Sequence, residues 1–244
     1  MTKINIDKYV KKFKDDFRNG QDGRYASFDY CFNYFQTFKE KAKTKDIVDN
    51  DNLQKSCLQL GFYLASWGMY RGSSSILQHS CHFLKKPLAV IAECDKQIWE
   101  IDVDEYTPEN IELLLECGKK IQESLQNNIT KHKSSDTLVT KIMLGIFGNV
   151  PAYDTYFKKA MTEYGMGGTL NKKSLKKIGE FYEENKDMID KLSEETKTID
   201  FLNGSRTHRN YTKAKIIDMF GFQKGFENDK KNDDKQKKVG VEEL

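Results

Sequence analysis

The sequence predicts an all-α protein, a compact multi-helix globular domain of about 8–10 helices with at most one short strand. Only three prolines occur in 244 residues, so few positions are barred from a helix interior. Lys, Glu and Leu, which favour helices, are abundant. Apolar residues recur every three or four positions, whereas the strict alternation of a half-buried strand is nearly absent.

The apolar spacing predicts the helices one by one. They lie at about 6–17, 27–38, 52–70, 76–84, 88–94, 107–125, 136–147, 151–164, 174–192 and 210–220. The start at Thr107-Pro108-Glu109 is the best marked, because it combines an N-cap, a proline at the first helical position and an acid in the first turn. The segment 97–103, QIWEIDV, is the one stretch whose alternation favours a short strand.

We expect residues 1–222 to form a single all-helical domain, which would divide into two lobes near 97–106 if it divides at all. Beyond it, residues 223–244 carry many charges of both signs and few apolar side chains. Such a composition cannot bury enough surface to offset the entropy of folding. The sequence therefore predicts a charged, disordered tail.

The charge and the cysteine usage restrict the class of protein. A net charge of +3 is compatible with nucleic-acid binding but does not require it. Five cysteines without a C-x-x-C pair indicate reduced thiols. The longest uncharged run, 56–70, is too short and too polar to span a bilayer. We expect a cytoplasmic protein without a membrane partner, and nothing in these patterns encodes its oligomeric state.

The most informative segment is 137–159, TLVTKIMLGIFGNVPAYDTYFKK, which predicts a helix, a glycine-containing break and a second helix entered through Pro151. Lys141 and Asp154 are its only charged side chains before Lys158. A buried charge without a partner costs several kcal/mol, so these two must be paired or functional. Either they meet in a cleft as a site, or Lys141 reaches solvent while Asp154 caps the second helix.

The same segment contains T-K-I-M-L followed by G-N-V-P-A-Y-D-T-Y-F. This pattern resembles the helix-hairpin-helix DNA glycosylase superfamily. The resemblance implies a glycosylase-like helical fold in which Asp154 is a catalytic residue that stabilises positive charge on the sugar. Lys141 is the second candidate catalytic residue, although it matches a structural lysine of that family better than the nucleophile. The resemblance covers roughly twenty-five residues, and the L-P-G-x-G hairpin that holds DNA phosphate is not found in the chain.

A second candidate site is the segment 66–75, SWGMYRGSSS. Its arginine and serines together suit an anion such as phosphate, and its tryptophan and tyrosine offer a stacking face for a ring. The alternative is an ordinary helix junction, in which glycine permits the bend and a serine caps. Together with one tyrosine of the previous segment, the candidate ligand-binding residues are Trp67, Tyr70, Arg71, Ser73, Ser74 and Tyr153.

A short basic stretch at 206–215 surrounds Tyr211. Arg206, Arg209 and Lys213 are the candidates for contacts with nucleic-acid phosphates. The alternative is a solvated helix face, which is the commoner role of such a stretch.

No metal or cofactor is predicted. His79, Cys81 and His82 have no second cluster at zinc-binding spacing, and no nucleotide, haem or flavin motif occurs. Two main hypotheses remain, and a third, an effector or toxin-like protein, rests only on the absence of a metabolic motif. The first is a nucleic-acid-associated helical protein with a glycosylase-like fold. The second is a non-enzymatic all-α binding module with an anion or small-ligand pocket around Arg71. The sequence alone does not establish an enzyme.

Overall fold

The structure, a computed structural model, describes residues 4–17, 20–72, 74, 76–126 and 135–242, and for 231–242 it describes the backbone alone. The all-α prediction is confirmed: within these ranges, ten α-helices are accompanied by short 3-10 helices and one two-stranded sheet. The α-helices are α1 Ile6–Phe17, α2 Ala26–Glu40, α3 Leu53–Ser66, α4 Lys85–Ala92, α5 Pro108–Ser124, α6 Asp136–Ile146, α7 Thr155–Thr162, α8 Lys172–Glu184, α9 Lys186–Glu195 and α10 Lys213–Glu242.

Helix α6 lies at the centre, because every residue from 138 to 150 is buried. It packs against α2, α3 and α5. The approach to α3 requires glycine: a Cβ atom at Gly145 would lie 2.4 Å from Cε1 of Tyr63. The missing side chain therefore lets the end of α3, which carries Trp67 at its C-cap, sit close to α6.

The loop after α6 is held on both sides. Gly148 adopts a positive φ of 72°, which ends the helix at little steric cost. The side-chain amide of Gln36 donates to the carbonyl of Ile146 at 2.8 Å, and that of Asn149 donates to the carbonyl of Ile98 at 3.1 Å. These buried bonds fix the path of the chain toward Pro151 and Asp154.

Helix α10 continues past residue 222, where the sequence analysis places the start of a disordered tail. The rings of Phe222 and Phe226 pack edge-on against Tyr156 of α7, with centroids 5.2 and 5.4 Å away. Between the two phenylalanines, Gly225 lets the helices touch. The two aromatic side chains thus give this part of α10 a partner that its charged composition does not reveal.

We expect Gly225→Ala to lower the free energy of unfolding by about 1–3 kcal/mol. Its Cβ atom would lie 2.1 Å from the carbonyl oxygen of Tyr156, a backbone atom that cannot move without shifting α7. Urea unfolding measures the change. The matched control is Gly179→Ala in α8, where the added atom meets Tyr106 at an ordinary 3.5 Å and only improves helix propensity. Equal effects of the two substitutions would mean that α10 does not pack on α7 at this point.

The segment 97–103 is not a strand. It contains the 3-10 helix Lys96–Trp99 and leads into a second one, Val103–Glu105. The neighbours Ile98 and Trp99 are both buried, together with Ile101, whereas alternation would expose one of two neighbours. These side chains belong to the same core cluster as the helices before and after them.

The sheet lies elsewhere. Strands β1 Lys197–Ile199 and β2 Arg206–Asn210 pair antiparallel, with Lys197 opposite Asn210 and Ile199 opposite Arg206. The amide of Ile199 donates to the buried carboxylate of Asp29 at 2.9 Å, which attaches the hairpin to α2. Strands of three and five residues are too short for their alternation to predict them.

Several predicted helices have different bounds, and two regions differ most. The helix predicted at 174–192 is divided into α8 and α9 at Asn185. The stretch 76–84 forms only the 3-10 helix Cys81–Leu84, and Pro87 lies in the first turn of α4 instead of before it. In the part of the chain that the structure describes, every helix is too short or too polar to cross a membrane.

Candidate functional site

The two segments that the sequence singled out, around Arg71 and around Lys141 and Asp154, meet in one pocket of about 450 Å³. We call it the site pocket. It lies where the end of α3, the first turns of α6 and α7 and the middle of α10 come together. It is lined by Arg24, Tyr25, Trp67, Gly68, Met69, Arg71, Thr137, Lys141, Asp154, Thr155, Tyr156, Phe222 and Phe226.

Lys141 and Asp154 form an ion pair across the wall of the pocket. Nζ of Lys141 lies 3.4 Å from Oδ2 of Asp154, and the side chains are 4% and 15% exposed. The other carboxylate oxygen, Oδ1, accepts the amide of Phe157 at 2.9 Å and so caps α7. Asp154 therefore serves both roles that the sequence left open, since it caps the helix with one oxygen and faces the lysine with the other.

Trp67 forms the inner wall. Three cations surround its ring: Nζ of Lys141 and Nζ of Lys215 each lie 5.0 Å from the centroid, and Cζ of Arg24 lies 5.9 Å away. Tyr25 meets the same ring edge-on at 4.4 Å. Burial raises the pKa of the Tyr25 hydroxyl well above its ordinary value. The electron-rich face of the indole ring attracts these cations, which stabilises their positions at this end of the pocket.

Arg24 and Arg71 stand at the rim, and both are exposed. Nε of Arg24 donates to the carbonyl of Ser66, which holds its guanidinium beside the pocket. Gly68 has a φ of +78°, and a Cβ atom there would lie 2.6 Å from Nε of Arg71. The glycine thus leaves the space in which Arg71 folds back toward Trp67. Among the described residues, no carboxylate lies within 4 Å of either arginine.

A second ion pair supports the pocket from behind. Nζ of Lys215 lies 2.7 Å from Oδ2 of Asp218, and both residues are buried. Oδ1 of Asp218 accepts the amide of Ala152 at 3.0 Å. The pair therefore fixes the loop that carries Asp154.

Sequence reasoning missed Arg24 and the pair of Lys215 and Asp218 as parts of the site. The signal for the pair was available, because two charges lie in the otherwise apolar run AKIIDMF, as Lys141 does in α6. No comparable signal marks Arg24, which lies in a polar turn before α2.

Other predicted ligand residues lie away from the pocket lining. Tyr153 is fully buried, and its hydroxyl is 2.9 Å from that of Ser174. Tyr70 is half-buried and packs on the core beside α3. Ser74 is half-buried, and Ser73 lies outside the described residues.

The basic stretch is largely neutralised. Arg209 binds Glu40 through Nε and Nη2 at 2.7 and 2.6 Å, and this pairing lowers the pKa of the Glu40 carboxyl. Nζ of Lys213 contacts Asp104, and the contact raises the pKa of that lysine despite its burial. Arg206 is exposed on β2. The stretch therefore offers a phosphate much less free charge than its composition indicates.

Within the described ranges, no three His, Cys, Asp or Glu side chains are grouped so that they could hold a metal ion. His79 instead stacks on Phe83, with centroids 4.3 Å apart.

Comparison of the chain with protein-family models, with curated proteins and with solved structures finds no match. The function is therefore inferred from the geometry of the site.

Proposed function

We propose that the site pocket binds a small ligand that combines an anionic group with a planar ring. The observation that carries this proposal is the position of Arg24 and Arg71. Both stand beside the aromatic wall of the pocket, and no described carboxylate pairs with either of them. A guanidinium without a carboxylate partner is suited to a bidentate carboxylate or phosphate.

The balance of charge supports an anion. Three basic side chains, Arg24, Arg71 and Lys141, line the pocket with a single carboxylate, that of Asp154. Because Lys141 and Asp154 compensate each other, the two arginines remain as an excess of positive charge. Lys215 and Asp218 behind the wall form a neutral pair and leave this excess unchanged.

The aromatic lining and the size support a ring. Tyr156, Phe222 and Phe226 also line the pocket with half-buried rings, and Phe222 meets the ring of Trp67 edge-on with centroids 6.0 Å apart. A volume of about 450 Å³ falls within the range of small-molecule pockets. A mononucleotide is a ligand of suitable size and charge.

The second candidate function is association with nucleic acid, in a fold of the glycosylase kind. It is favoured by the placement of the Asp154 carboxylate at the same pocket as the aromatic side chains, where an unstacked base would be received. On this proposal the pocket, and not the stretch 206–215, supplies the main phosphate contacts, because Arg209 and Lys213 are already paired.

Fluorescence anisotropy tests both functions. Labelled single-stranded, duplex and abasic-site DNA are titrated with the protein over a salt series, and unlabelled mononucleotides are used as competitors. Binding of DNA that weakens steeply with salt and prefers the abasic duplex supports the nucleic-acid function. Binding of a labelled mononucleotide with no binding of DNA supports the small-ligand function and removes the other. Absence of both at low salt removes both functions.

Arg71→Ala is expected to weaken binding at least tenfold, because loss of a charge-assisted contact costs about 1.5–3 kcal/mol. Arg24→Ala is expected to have a similar effect. Both residues are exposed, so the free energy of unfolding changes little. The matched control is Arg206→Ala, which removes an exposed arginine outside the pocket. An equal loss in the control would mean that binding follows net charge and does not involve the site pocket.

Asp154→Asn separates binding from catalysis. The amide oxygen still accepts the amide of Phe157, so α7 keeps its N-cap while the charge is lost. If the chain acts on a nucleic acid, the variant binds the abasic duplex but loses all turnover. If the chain only binds, the variant lowers stability and leaves no activity to lose.

A further inference from the structure

A second cavity, remote from the site pocket, contains two thiols in contact. Sγ of Cys94 and Sγ of Cys117 are 3.4 Å apart. Cys94 follows the end of α4, and Cys117 lies in the middle of α5, which packs against α4. The cavity has a volume of about 700 Å³, and Lys120 is part of its lining.

The two sulfurs differ in access. Both cysteines line the cavity, but Cys117 is buried whereas Cys94 is partly exposed. A reagent that enters the cavity therefore reaches Cys94 first. Cys117 is positioned to react with whatever becomes attached to Cys94.

The two sulfurs also differ in their chemistry. The hydrogen bond between the two sulfurs and the charge of Lys120 together lower the pKa of Cys94. The same bond and burial raise the pKa of Cys117. The thiolate is the attacking form of a cysteine, so the exposed sulfur is also the more reactive one.

We propose that Cys94 and Cys117 form a site of thiol–disulfide exchange, in which a low-molecular-weight disulfide oxidises the pair to an intramolecular disulfide joining α4 to α5. The sulfurs of a disulfide lie about 2.05 Å apart, so closure requires a movement of about 1.4 Å.

The reaction balances in two steps. The Cys94 thiolate attacks one sulfur of glutathione disulfide, whose S–S bond breaks, and the first glutathione leaves as a thiolate that takes a proton from water. Cys117 then loses its proton and attacks Sγ of Cys94, and the second glutathione leaves and takes up that proton. Two protein thiols are oxidised, and one disulfide is reduced to two thiols.

A metal site is the rival use of two thiolates. Structural zinc requires four ligands and catalytic zinc at least three. Among the described residues the pair has no third ligand arranged for a metal. The nearby carboxylates of Glu93, Asp95 and Glu116 are hard ligands, unlike the thiolates. The geometry thus favours exchange over coordination.

The test uses the full chain with glutathione disulfide, followed by mass spectrometry of intact protein and of peptides. We expect a loss of two hydrogens and a crosslinked peptide pair that contains Cys94 and Cys117. Cys117→Ser should instead accumulate one glutathione on Cys94, because the resolving thiol is absent. Cys94→Ser should leave Cys117 unmodified, because that sulfur is buried.

The matched control is the double variant Cys57→Ser and Cys81→Ser, which removes two other thiols and should form the same crosslink. Peptide mapping of the unaltered protein keeps the test valid if a serine variant fails to fold. A crosslink between other cysteines, or no crosslink at all while surface thiols become glutathionylated, would overturn the proposal.

Discussion

Asp218→Ala is expected to lower the free energy of unfolding by about 3–5 kcal/mol, the largest effect of any single substitution considered. It removes the carboxylate that lies 2.7 Å from the ammonium of Lys215, a residue that is 2% exposed. Among the described residues, no other carboxylate pairs with this ammonium. It also leaves the buried amide of Ala152 without its acceptor. The rings of Phe28 and Trp67, 4.6 and 5.0 Å from the ammonium, compensate only part of this loss.

The same helix offers a control. Asp229 binds Lys159 at 2.7 Å, but this pair is solvent-accessible, with side chains 32% and 53% exposed. Asp229→Ala should therefore cost less than about 1 kcal/mol. Urea unfolding of both variants measures the difference. A loss for Asp218→Ala no greater than that for Asp229→Ala would contradict the burial of the inner pair.

A double variant distinguishes the cost of leaving a buried charge unpaired from the loss of the ion pair's own attraction. Lys215→Met combined with Asp218→Asn removes both charges and keeps similar volumes. We expect it to be more stable than Asp218→Ala alone, because no unpaired charge remains buried. If the double variant is the less stable of the two, the ion pair itself contributes more than its desolvation costs.

The second large effect concerns pH. The carboxylate of the half-buried Asp102 accepts the amides of Val103 and Lys213 at 2.7 Å and that of Ala214 at 2.9 Å. It thereby caps the start of α10. Burial raises the pKa of Asp102 from 3.8 to about 6, and the three donated hydrogen bonds oppose the rise.

Because the pKa of Asp102 is raised on folding, this group stabilises the folded chain at low pH. Between about pH 4 and pH 6 the folded chain binds a proton at Asp102 that the unfolded chain has released. The stability from this group is therefore fully present below about pH 4 and is lost as the pH rises through 6. This pKa shift corresponds to a loss of about 3 kcal/mol at most in the free energy of unfolding as the pH rises.

Asp102→Asn isolates this contribution. The amide cannot titrate, and its nitrogen is a poorer partner for three donors, so the variant is less stable than the parent at pH 4. The difference between the two proteins should shrink toward pH 7. Urea unfolding of both at pH 4, 5, 6 and 7 measures it, and taking the difference cancels the other titrating groups. A difference that grows with pH would mean that the hydrogen bonds outweigh burial.

Much of the helix pattern could be predicted, because apolar spacing reports which face of a segment is buried. The cap at Thr107 is confirmed, because it depends on residues close in sequence. For Lys141 and Asp154 the sequence left a contact and a helix cap as alternatives, and the structure shows both. Spacing does not report which partner covers a face. The prediction for 97–103 failed for this reason, because the neighbours Ile98 and Trp99 are both buried.

The sequence predicted the two segments of the candidate site separately, but it did not predict that they meet in one pocket. The meeting of Arg71 with Lys141 depends on how closely α3 approaches α6, which is decided by Gly145 against Tyr63. The lining by Phe222 and Phe226 depends on where α10 lies, and the tail predicted from residue 223 onward left Phe226 outside the packed domain. Contacts between distant segments leave no mark in a local pattern.

Helix α10 also bears on how the chain reaches its folded state. Gln223 donates to Asp16 of α1 at 3.1 Å across a separation of 207 residues, and Glu227 binds Lys12 of the same helix. Forming such a contact orders a long stretch of chain, and this conformational entropy is lost before the contact stabilises the fold. Long-range contacts of this kind therefore slow folding. Because Phe222 and Phe226 belong to the same helix, the site pocket is complete only when α10 has packed against α1 and α7.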